Sequence, residues 1–236
     1  MKAYFSRLWS NLRFLFKIGV GILILVGFSR FFDSAAWHNT AGLVANALPF
    51  VDNVETAVKI VGGLFIVIWG IRFLDRAFYK EQLKGKYGLV PRTSGPGRFI
   101  TSHLVHVDDQ HLYNNTRPLL IFIGIAVLLV PTMETFLLAT AIMIIVQGLG
   151  VWLLGRKGNH LGASGMLLAY YSFDITYAPI MRPGWSILVT VLLLLIFGRA
   201  ILANVMMRRE GVSFVGHVWG FLSGVLATLF LYQMGL

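Results

Sequence analysis

Stretches of about twenty largely apolar residues recur along this chain, and that recurrence decides its solvent. The clearest fall at 12–29, 56–74, 134–154, 184–202 and 212–235. Two more are less pure. Residues 111–130 open on His111, Asn114, Asn115 and Arg117 before turning apolar, and 161–178 are rich in small residues, with Asp174 near the end. Each is long enough to cross a hydrocarbon core about 30 Å thick as a helix, the fold that satisfies its own backbone in lipid. Only 13% of the residues are charged and 57% are hydrophobic, whereas soluble domains carry about 25% charged residues. The sequence therefore predicts an all-α polytopic membrane protein of seven spans, or one plus six.

The first segment, 12–29, has a basic start that carries Lys2, Arg7, Arg13 and Lys17, as a signal sequence would. Its apolar part is long for that role, and FFDSAAWHN offers only a loose cleavage site, so it reads as a retained span. The expected division is an N-terminal segment, 1–55, and a membrane domain, 56–236. The net charge of +10 has no basic soluble module to sit on, which argues against nucleic acid and for loops at a lipid headgroup surface. With no cysteine, disulfides, thiol nucleophiles and thiolate metal sites are excluded. The longest polar stretch, 75–110, contains Pro91, Gly95, Pro96 and Gly97, which break regular structure.

Polar groups inside spans are costly and are functional candidates by default. His111 and Asn115 stand four apart, on one helix face, and both carry donors suited to a small anion. Alone, the pair reads more simply as interfacial polarity at a helix start. Gly162-Ala163-Ser164-Gly165 leaves a serine hydroxyl uncovered, although small-residue clusters are ordinary packing devices in membranes. His217 precedes Gly220 and Gly224, a GxxxG face that presses it toward a partner helix. Together the three supply a nucleophile, a base that works near neutral pH, and donors for a developing oxyanion. Asp174 lies ten residues beyond Ser164, about 15 Å along a helix, too far to orient a base beside that serine. It reads as an interfacial charge near Tyr177 and Arg182, and the chemistry as a Ser–His dyad. His103, His106 and His160 show no ligand spacing, so neither metal nor cofactor is expected.

In this order the motifs resemble the rhomboid family of intramembrane serine proteases. HxxxN lies on an early span (His111, Asn115), GxSG opens a later one (Gly162 to Gly165), and a histidine with GxxxG lies on the last (His217, Gly220, Gly224). The likeness covers about residues 56–235, including YGLVPRTSGPGRFITSHLVHVDDQHLYNN and GVSFVGH. It implies six core helices around a wet cavity, Ser164 as nucleophile, His217 as general base, and His111 and Asn115 with the Ser164 N–H as oxyanion donors. It also implies transmembrane protein substrates, a long loop at 75–110, a substrate gate at 184–202, and residence in a bacterial inner membrane. Two positions depart from the family. Leu168 stands where a tyrosine often stacks on the histidine, and Trp219 stands where a small residue is common. The alternative is a non-catalytic relative that binds or sorts membrane helices. On orientation two rules conflict. The 75–110 and 155–160 loops are basic and lie on the face of Ser164, which the positive-inside rule would make cytoplasmic, whereas the family implies an extracytoplasmic site.

Overall fold

A computed structural model describes residues 54–181, 185–206 and 213–236. The expected span at 12–29 and nearly all of the expected N-terminal segment lie outside the described residues. The chain divides into two compact units at Gly62 and Gly63, inside its first described helix.

The described residues form eight helices and no strand. They are α1 (Val54–Phe78), α2 (Leu83–Tyr87), α3 (Arg98–Leu104), α4 (Asp109–Leu129), α5 (Met133–Leu154), α6 (Ser164–Met181), α7 (Trp185–Met206) and α8 (Phe214–Met234). Of these, α1, α4, α5, α7 and α8 are long and apolar enough to cross a membrane. This is an integral, multi-pass membrane protein built as a helical bundle. Side-chain caps mark where spans start. Asp108, Thr132 and Ser213 accept from the His111, Thr135 and Gly216 amides, satisfying donors that a helix leaves open at its N-terminus.

The sixth long helix, α6, has too many polar groups to face lipid, and the fold encloses it. It packs chiefly against α8, α4 and α7. Its 18 residues rise about 27 Å, close to a hydrocarbon thickness. Three of its polar side chains find partners on its neighbours. Tyr170 bonds Thr140 at 2.7 Å, Ser172 donates to the Phe221 carbonyl at 2.6 Å, and Thr176 meets Thr228 at 2.8 Å. Aromatic pairs fill the spaces around it, with Phe122 against Tyr171 and Phe197, and Phe136 stacked on Tyr170. By contrast, α7 turns Leu188, Leu195 and Ile196 outward, as a lipid-facing helix does.

Candidate active site

The N-terminus of α6 is where the singled-out residues meet. Ser164 is its first residue, and Ser164 Oγ lies 3.0 Å from His217 Nε2 on the first turn of α8. Backbone-to-backbone packing makes that approach possible. A Cβ on Gly220 would collide with the Gly165 carbonyl, and one on Gly224 with the Ala169 carbonyl. The glycine face of α8 thus seats directly on the backbone of α6, as the GxxxG spacing predicts. Trp219 points elsewhere: its ring lies over Gly150 of α5, where any side chain would meet it. The bulky residue in a small-residue position is accommodated by a glycine on a third helix.

Gly162 lies in the loop before α6 rather than within a helix pair. Its φ is +100°, a conformation L side chains rarely adopt, and a Cβ there would stand 2.6 Å from the His111 ring. The half-buried His111 ring therefore lies against the backbone just ahead of Ser164. One turn along α4, Asn115 is buried, and its Nδ2 donor has no hydrogen-bond partner. An unmet buried donor is costly, and this one belongs to the pair read as anion donors. Gly165 completes the set, with a Cβ there meeting Gln147 Nε2 at 2.6 Å.

Two histidines without a role in the sequence reading hold this geometry. His106 Nε2 accepts from the Ala163 N–H at 3.2 Å, and its ring packs edge-on to His111, centroids 5.4 Å apart. It therefore touches the loop on one side and a candidate donor on the other. His160 pairs antiparallel with Leu89, lies 2.9 Å from the Arg156 carbonyl through Nε2, and is 2.6 Å from Ser213 through Nδ1. With the proton on Nε2, Nδ1 accepts from the Ser213 hydroxyl. Ser213 in turn caps α8, three residues ahead of Gly216. His160 so links the loop before Ser164 to the start of the helix that carries His217. Among the described residues no three His, Asp or Glu side chains converge to hold a metal.

Asp174 corrects the sequence reading. It is fully buried in α6, not interfacial, and neither carboxylate oxygen has a hydrogen-bond partner. The small-residue packing around α6 encloses it where hydropathy alone suggested a helix end. It does not bond His217. Leu168, at the departing position, is fully buried.

Beside these residues, burial lowers the pKa of His103 to about 4 and of His106 to about 3. Gly162 and Gln147 are the polar groups beside His103, and neither of its ring nitrogens reaches good bonding geometry. Both rings are neutral when folded and take up protons on unfolding below their ordinary value of 6.5. Stability is therefore full above about pH 6.5 and falls as pH drops toward the folded values, by about 2 kcal/mol per histidine at pH 5. Thermal unfolding in detergent should show a lower midpoint at pH 5 than at pH 7, with His103→Gln reducing the drop. A flat profile would refute this account.

The sequence matches the Rhomboid domain family over residues 95–234. Uncharacterized proteins of Mycobacterium tuberculosis and Mycobacterium bovis are each 33% identical over 185 residues, covering 73% of this chain and 76% of theirs. An uncharacterized protein of Mycobacterium leprae is 33% identical over 136 residues, covering 54% of this chain and 53% of its own. No solved structure matches.

Proposed function

Because this chain belongs to the rhomboid family, we propose that it is a serine endopeptidase that hydrolyses peptide bonds in or near transmembrane segments of other membrane proteins. The observation that carries the reading is the 3.0 Å approach of Ser164 Oγ to His217 Nε2. With the imidazole neutral and its proton on Nδ1, the hydroxyl donates to Nε2 and is poised to lose its proton there. Oγ attacks the substrate carbonyl and His217 takes the proton. The Ser164 N–H, His111 and Asn115 bind the oxyanion that forms. The imidazolium then protonates the departing amine, leaving an acyl-enzyme. Water attacks it with His217 again as base, and the proton returns to Oγ. A helical substrate must unwind locally, because a helix hides its carbonyls in internal bonds.

A fluorophosphonate probe tests this directly. Labelling should fall on Ser164, read as a mass shift on its peptide. It should slow about 100-fold in Asn115→Ala, since one oxyanion donor is worth about 10²–10³ in rate. No labelling of the native protein, together with co-purification of uncut membrane helices, would favour the binding reading instead.

A further inference from the structure

The lipid-facing helix α1 leaves Ile66, Val67, Phe73, Leu74 and Phe78 exposed, yet near its end it buries an arginine. Arg72 is only 6% exposed, and a buried guanidinium persists where carboxylates satisfy it. Its Nε donates to Asp109 Oδ1 at 2.7 Å and its Nη2 to Glu81 Oε1 at 2.9 Å, while Nη1 stands 3.7 Å from Asp75. One turn on, Arg76 Nη1 donates to the other Asp109 oxygen at 2.5 Å. Lys84 adds a third cation, 3.7 Å from Glu81. Three cations and three carboxylates thus form one neutral network. Asp75 also accepts from the Leu83 N–H at 3.0 Å, fixing the turn into α2.

The network enters the candidate site through Asp109. That residue opens α4, between the capping Asp108 and His111. Asp108 holds the His111 amide at 2.7 Å, and the two arginines hold both oxygens of Asp109. The first turn of α4 is therefore pinned at its backbone from one side and at its side chain from the other. We infer that Arg72 is a positioning residue for the oxyanion donors: through Asp109 it locks the first turn of α4 and so sets His111 against Gly162 and Asn115 one turn deeper. This rests on the proposed role of His111 and Asn115. Charge alone does not suffice, because the contact uses two nitrogens of one fork toward two different acidic residues, a geometry lysine cannot copy.

The test compares Arg72→Gln, Arg72→Lys and Glu81→Gln with the native protein in liposomes. Glu81 shares the network but touches no residue of α4 within it, so it controls for mere fastening of α1. Arg72→Gln should lower kcat about 10- to 100-fold, the cost of a misplacement near 1 Å, with KM within about 2-fold. Arg72→Lys should recover part of that loss, and Glu81→Gln should leave kcat within about 2-fold. Amide exchange over residues 109–115 should rise in Arg72→Gln. Unchanged exchange there overturns the inference whatever the activity, as does a kcat loss that Glu81→Gln reproduces. A native protein that cleaves nothing, with exchange still rising in Arg72→Gln, removes the protease reading and leaves the lock on α4 standing.

Discussion

Ser164→Ala and His217→Ala should each reduce cleavage of a single-span substrate in liposomes by about 10⁴-fold or more, below ordinary detection. The size follows from the dyad acting as a unit. Without Oγ no acyl-enzyme forms, and without the imidazole nothing accepts the hydroxyl proton at neutral pH. Their 3.0 Å separation is short enough that neither loss is covered by a neighbour. Asp174 offers no substitute, being fully buried with both oxygens unpartnered. The double variant should be no worse than either single one, because losses within one catalytic unit do not add. If the two residues serve chemistry rather than packing, thermal midpoints should stay near native. Native-level cleavage by either single variant ends the serine-dyad mechanism. Equal losses of activity and thermal stability would instead mark these residues as packing elements.

The spans were legible because bilayer thickness sets helix length. The expected run 134–154 and the observed α5, Met133–Leu154, differ by a single residue. The polar stretch 75–110 was legible as an interruption, but not as α2, α3 and the Leu89–His160 pairing, since short helices in a loop carry no long period. The candidate site was legible as ordered motifs, because HxxxN, GxSG and the GxxxG histidine each lie within one turn or two. What joins those motifs was not. His160 with Ser213, His106 with the Ala163 amide, and Arg72 with Asp109 are 53, 57 and 37 residues apart, and such contacts have no local signature. Arg72 could have been flagged as a charge near a span's end, yet its burial depends on Glu81 and Asp109, which lie beyond its own helix. Asp174 failed for a related reason: hydropathy cannot tell a helix enclosed by protein from one that ends at the headgroups.

Gly220→Ala should lower cleavage by about 100-fold or more, although alanine is a better helix former than glycine by about 1 kcal/mol. Propensity loses here because the added methyl has nowhere to go. It would strike the Gly165 carbonyl and stand 3.0 Å from the Gly165 Cα. Backbone atoms cannot swing aside as a side-chain tip can, so α6 and α8 must separate. Ser164 is the neighbour of Gly165, and His217 lies one turn before Gly220, so the separation falls directly on the dyad. Overpacking of this kind costs about 1–3 kcal/mol in stability, a modest part of the fold's total beside the loss of rate. Gly224→Ala makes a similar collision one turn deeper, with the Ala169 carbonyl and Ser172 Oγ. It should cost comparable stability and less activity, because the wedge opens farther from Ser164. Gly70→Ala is the control: it has open space around it on α1 and should leave rate unchanged with stability equal or higher. Measured together, the three alanines separate contact from propensity. If Gly220→Ala and Gly70→Ala behaved alike, the close seating of α8 on α6 would not be what holds Ser164 beside His217.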